Sequence, residues 1–216
     1  MRRKIGNTCI ILGTALVLGA LALFLYNRQE AEEARRASDA HLAQLVGMLK
    51  PVEEGTAEGE TVPAGEGILV DMLPQIPEEL LTPEDLVMTE TVIDGNAYIG
   101  YLSMPTVDLE LPILSDWSYS LLRIAPCRYY GTLRGNDLVL MAHNYATHFG
   151  PISRLQEGDP VIFVDMDGGV TRYRVAAHDI LDPTAVEEMT AGVFDLTLFT
   201  CTYGGKSRVT VYCNRE

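Results

Sequence analysis

Cys201, Arg208 and His143 have the side-chain types and the spacing for acyl-transfer chemistry in this 216-residue chain. A cysteine attacks a carbonyl carbon as its thiolate, and at an unperturbed pKa near 8.5 only about 3% of a thiol is ionised at neutral pH. A cationic neighbour raises that fraction. Arginine does so without exchanging protons, and its fixed N–H donors suit the negative charge that develops on the carbonyl oxygen. The departing amine needs a proton, and histidine supplies one near neutral pH. Cys201 ends the run Thr197-Leu198-Phe199-Thr200-Cys201, residues 202–207 make a loop, and Arg208-Val209-Thr210-Val211-Tyr212 alternates as a returning strand. If the two strands pair, Cys201 and Arg208 face each other across the loop mouth. Of the four histidines, His41 lies in a helical stretch and His178 within a strand beside Asp179, which leaves His143 and His148. His143 directly ends an apolar strand, where a rigid scaffold aims a side chain into a cleft.

The elements that must position these residues are short and β-rich. Val87–Ile93 and Ala97–Met104 flank Asp94-Gly95-Asn96 and read as a hairpin. Further strands are expected at 109–114, 137–142, 160–165, 170–180, 196–201 and 208–213, with Asp167-Gly168-Gly169 as a turn and helical turns at 117–124 and 185–189. Many short strands with few helices indicate an all-β barrel or sandwich. No internal repeat at solenoid or propeller period is present.

Ahead of this domain the chain changes character. The net charge of -14 divides into +4 over residues 1–28, -13 over 29–97 and -5 over 98–216, and an acid excess of this size excludes nucleic acid as a partner. Residues 5–26 carry no charge; twenty-two residues at roughly 1.5 Å rise cover about 33 Å, the thickness of a bilayer core. Arg2, Arg3 and Lys4 precede the run and favour a cytoplasmic N-terminus with the remainder outside the cell. Ala20-Leu21-Ala22 offers a signal-peptide cleavage pattern, but the apolar run continues past it through Tyr26, which favours retention. Glu32 and Arg36 stand four apart, and Leu42, Leu45, Val46 and Leu49 follow helical spacing, so a juxtamembrane helix is expected over 30–50. The stretch from Pro51 to about Leu81 is acidic and rich in proline and glycine, and reads as a solvated stalk. The expected organisation is 1–28 basic tip and transmembrane anchor, 29–85 juxtamembrane helix and stalk, and 86–216 catalytic domain.

Four cysteines place Cys9 in the apolar run and Cys127, Cys201 and Cys213 in the exported part, where three cannot all pair with one another. Cys127 and Cys213 either pair or stay as buried thiols; spacing does not decide. Zinc is disfavoured at His143 and His148, whose spacing is not HExxH and which lack a nearby acid or cysteine pattern. A polar turn accounts for Asp165 and Asp167 better than a calcium loop does. The plain alternatives for the reactive residues are a structural cysteine at a strand end and an arginine in a surface ion pair.

Thr197–Cys201, with Arg208 seven residues on and Ala142-His143-Asn144 upstream, resembles the signature of the sortases, the membrane-anchored cysteine transpeptidases of Gram-positive bacteria: a TLxTC motif, a downstream arginine and a histidine in a GH-[NR]-like turn. Residues 98–105 and 109–113 are similar to the opening strands of that fold and Gly158-Asp159-Pro160-Val161 to a later segment, so the likeness spans roughly residues 92–216. Ala142 departs from the glycine of many members. The resemblance implies a closed eight-stranded β-barrel and a two-step exchange in which Cys201 attacks the carbonyl of an LPxTG-like C-terminal sorting signal. Arg208 would hold the oxyanion and His143 would protonate the leaving amine. An amine of a cell-wall precursor or of another surface protein would then resolve the acyl-enzyme. Asn144, Thr200 and Tyr203 are candidate substrate-binding residues, no metal or cofactor is expected, and the sortase class stays unassigned. A membrane-anchored cysteine hydrolase and a non-enzymatic surface binding module are the alternatives.

Overall fold

The computed structural model describes residues 2–49 and 87–216, with side chains in the first segment from Leu12 onward. The expected stalk lies outside the described residues. Helix α1 (Arg2–Leu49) is continuous. Nine strands follow: β1 (Thr91–Ile93), β2 (Asn96–Met104), β3 (Leu109–Leu114), β4 (Cys127–Tyr130), β5 (Leu138–Ala142), β6 (Pro160–Asp165), β7 (Val170–Leu181), β8 (Leu196–Cys201) and β9 (Arg208–Arg215), with α2 (Val186–Met189) between β7 and β8. The order β2-β3-β4-β5-β8-β9-β7-β6 closes on itself through β6–β2, giving an eight-stranded barrel with β1 as an extra strand beside the start of β2. The all-β barrel expected from the sequence is therefore present.

The β1–β2 turn is the two residues Asp94 and Gly95, both at positive φ, the geometry that matches the twist of the flanking strands. Inward-facing Leu102, Phe163, Tyr173, Leu140, Leu198 and Val211 fill the barrel. The closing seam depends on Gly100, whose φ of +148 is strained for any side chain and whose missing Cβ leaves room for the Val164 carbonyl of β6. Gly100→Ala is expected to destabilise the barrel by roughly 3 kcal/mol, read as a fall in Tm on the order of 10 °C.

Leu198 faces the interior while its neighbour Phe199 faces outward, against Val139 and Met189 of α2. Both faces of β8 are thus covered, which explains why its first five residues, Thr197 and Thr200 included, are all buried. Cys127 and Cys213 are buried free thiols, and burial pushes each up to about 12, so neither ionises near neutral pH.

The expected separation of an anchor from a juxtamembrane helix does not correspond to a break: α1 passes unbroken through Arg28. No proline precedes Pro51, so nothing in the sequence compels the helix to end at the polar Asn27-Arg28-Gln29. Its second half docks on the barrel through Ala34, Ser38, His41 and Leu45, a stripe at helical spacing. Leu45 enters a cluster with Ile93, Tyr98, Leu114, Leu122, Ala125 and Cys127. His41 joins the elements by hydrogen bonds: its Nε2–H donates to the Asp94 carboxylate at 3.3 Å, leaving Nδ1 to accept from the Tyr98 hydroxyl at 2.7 Å. Among the described residues no helix is long and apolar enough to cross a membrane; the uncharged run begins at Ile5, ahead of the first described side chain.

Candidate active site

Three neighbouring strands deliver the reactive side chains to one end of the barrel. β5 and β8 run parallel with Ala142 opposite Thr200, so His143 and Cys201 leave the sheet side by side. The Thr200 hydroxyl donates to the Ala142 carbonyl at 2.8 Å and fastens these strand ends together. β9 returns antiparallel to β8 and sets Arg208 opposite Cys201, the pairing expected from the sequence. The intervening loop is fixed by Thr202, whose N–H donates to the Ser207 carbonyl at 2.9 Å and whose hydroxyl accepts the Ser207 N–H at 3.1 Å. Gly204 and Gly205, both at positive φ, make the reversal. Arg208 Nη1 donates to the carbonyls of Gly205 and Ser207 at 3.3 Å each, holding the guanidinium at the loop mouth.

His143, Cys201 and Arg208 line the same cavity, of about 200 Å³, with Trp117, Tyr129 and Met189 among its walls. Cys201 is half-buried and is the one free thiol among the described side chains that is not fully enclosed. Cys201 also lines a second cavity, of about 380 Å³, together with Asn144, Thr200, Tyr203 and Val209. Of the candidate substrate-binding residues, Tyr203 is 94% exposed, whereas Thr200 is buried with its hydroxyl committed to Ala142. Pro183, Val186 and Met189, which carry no functional signature in the sequence, come from the β7–β8 connection and line the smaller cavity. The only signal for them was a small apolar cluster within an acidic, helix-prone segment.

Burial lowers the His143 pKa below its usual 6.5; the Glu30 carboxylate of α1 opposes this and Arg123 reinforces it. The His143 ring packs on Tyr145 at 4.9 Å, and Tyr145 on His148 at 5.4 Å. Burial raises the Tyr145 phenol's pKa, and the Glu30 carboxylate of α1 reinforces the rise. The loop from Asn144 folds back on itself: the Phe149 N–H donates to the His143 carbonyl at 3.1 Å and the Gly150 N–H to the Tyr145 carbonyl at 2.9 Å.

His148, within this loop, is fully buried, neither ring nitrogen has a protein partner, and burial holds its pKa at about 4. Unfolding releases it to an ordinary value, so between about pH 6.5 and 4 the unfolded chain binds more protons and stability falls as the solution is acidified. The full loss from this residue is about 3 kcal/mol below pH 4. Denaturant melts across that range are expected to show the loss, and His148→Phe to flatten it.

A profile of the sortase domain matches residues 102–216. No curated protein matches the chain. Among solved structures, sortase A from Corynebacterium diphtheriae is similar at 25% identity and TM-score 0.52, over 56% of this chain and 61% of that one. Sortase C1 from Streptococcus suis is similar at 27% identity and TM-score 0.50, over 55% and 73%. Clostridium perfringens sortase C, solved with the C-terminal cell wall sorting motif, is similar at 25% identity and TM-score 0.51, over 62% and 76%. The chain thus spans about three fifths of the length of the Corynebacterium diphtheriae structure.

Proposed function

The chain belongs to the sortase family, and on that footing we propose that it is a membrane-anchored cysteine transpeptidase that cleaves an LPxTG-like C-terminal sorting signal of exported proteins and passes the acyl group to an amine. The observation that carries this reading is the shared cavity in which Cys201 lies opposite Arg208 and beside His143. The Cys201 thiolate attacks the carbonyl carbon of the scissile peptide bond, and the oxyanion that forms is held by Arg208. Collapse breaks the C–N bond, His143 gives its proton to the leaving amine, and a thioester on Cys201 remains. An amine of a cell-wall precursor or another surface protein then attacks the thioester, yields a proton to His143 and releases the thiolate. The apolar wall of Pro183, Val186, Met189 and Phe199 suits the leucine and proline of the signal, and the cavity bearing Asn144 and Tyr203 is open to the incoming chain.

The Clostridium perfringens sortase C was solved with the C-terminal cell wall sorting motif, which supports a peptide of this type as the donor. The test is turnover of a labelled sorting peptide with and without an added amine. Ligation product that grows with amine concentration supports transpeptidation; hydrolysis unaffected by amine would assign the chain to the hydrolases. Arg208→Ala is expected to lower turnover roughly 10²-fold to 10³-fold, as loss of an oxyanion donor does, whereas a two-fold loss would return Arg208 to a structural role.

Anchoring by residues 5–26 is part of the same reading, with the N-terminus cytoplasmic and the barrel outside. Its support is the exposure of Leu12, Leu16, Val17, Leu18, Leu21, Leu23, Phe24, Leu25 and Tyr26, each 51–68% accessible and distributed all around α1. A helix apolar on every side is matched by lipid rather than by water.

A further inference from the structure

We propose that the segment Asp116–Arg123 rests in the lipid headgroup layer, so that the cavity of Cys201 opens at the bilayer surface. The inference depends on the anchoring by residues 5–26 proposed above. Because α1 is continuous, the place where the barrel meets the helix sets its height above the membrane. Tyr26 closes the exposed apolar run, and Glu30 follows one turn later, roughly 6 Å along the axis. The Glu30 carboxylate pairs with Arg123 Nε at 3.5 Å. The segment before Arg123 is therefore pinned level with the first turn beyond the apolar run. Docking of Ala34, Ser38, His41 and Leu45 fixes which side of the barrel faces that turn.

The composition of the segment matches its position. Trp117 is 38% and Tyr119 79% exposed, their rings meet edge to face at 6.0 Å, and the Arg123 side chain is largely exposed. Tryptophan and tyrosine have apolar bodies with polar tips and collect at membrane–water interfaces, and arginine reaches headgroups on its apolar stem. Trp117 and Tyr119 also wall the cavity that contains His143, Cys201 and Arg208. Lipid contact at these rings brings the cavity mouth to the headgroups, so a donor peptide tethered in the same bilayer, or an acceptor amine carried on a lipid, reaches Cys201 by lateral diffusion.

Trp117 is the single tryptophan of the chain and reports its own depth. The full chain is reconstituted in phosphatidylcholine vesicles containing lipid with a nitroxide quencher at the headgroup. Interfacial seating is expected to give a blue-shifted emission and roughly a two-fold loss of intensity. A reference reporter is Val193→Trp in a Trp117→Phe chain: Val193 is 75% exposed and precedes β8, which runs about 20 Å to Cys201 at the other end of the barrel. That reporter is expected to keep its emission. A chain that floats with the vesicles while Trp117 is quenched no more than the Val193 reporter overturns the proposal and leaves the anchor intact. A chain that does not float overturns the anchor, and the proposal with it.

Discussion

Cys201→Ala is expected to reduce transfer of a labelled sorting peptide to the uncatalysed background while leaving the fold intact. The substitution removes one half-buried sulfur at a strand end, and β8 keeps its pairing with β5 and β9, so thermal stability is expected to change by less than about 1 kcal/mol. The other two thiols of the described chain cannot substitute for it, because Cys127 and Cys213 are enclosed and held up at about 12. Steady-state transfer with a melting curve on the same sample checks both halves. Retained turnover in the variant would remove the covalent mechanism.

His143→Ala is expected to lower kcat/KM by roughly 10²-fold to 10⁴-fold, the range that a positioned general acid supplies. The pH profile separates this role from a structural one. In the proposed exchange turnover needs thiolate and imidazolium together, and burial holds the His143 pKa below its usual 6.5. The rate therefore climbs with pH only until His143 begins to lose its proton. Each further gain in thiolate is then offset by an equal loss of imidazolium, and the profile levels off. The wild-type rise is therefore expected to flatten below pH 6.5. His143→Ala is expected to keep rising until the thiol is fully ionised, and a profile of unchanged shape would place the proton donor elsewhere.

Most of the barrel was legible because short runs rich in β-branched and aromatic residues, bounded by turn residues, are local signals. The strands 109–114, 160–165 and 196–201 coincide with β3, β6 and β8, and the Asp94-Gly95 turn needs a conformation that the sequence advertises. β4 was missed: it is four residues long, follows Pro126 and joins β3 through the single pair Leu114 and Cys127, so nothing local distinguishes it from a loop. Closure of the ring was implied by the family resemblance rather than by strand pattern: the β2–β6 seam brings Gly100 against Asp165, and nothing local in either strand identifies the other.

At the cavity, the pairing of Cys201 with Arg208 followed from strand alternation across a six-residue loop, whereas the neighbours of His143 did not. Glu30 and Arg123 act on that imidazole from elements distant in sequence. They meet there only because α1 continues past Arg28 and lies down on the barrel. The change from apolar to polar residues near Arg28 leaves the helix itself uninterrupted.

Intact-protein mass spectrometry of wild-type chain quenched in acid during turnover of an LPxTG-like peptide, followed by peptide mapping, tests the central claim most directly. The expected result is an added mass equal to the acyl portion of the peptide, carried on the fragment containing Cys201, released by hydroxylamine as a thioester and absent from Cys201→Ala. Turnover with no adduct at Cys201, or an adduct mapped to another residue, would contradict it.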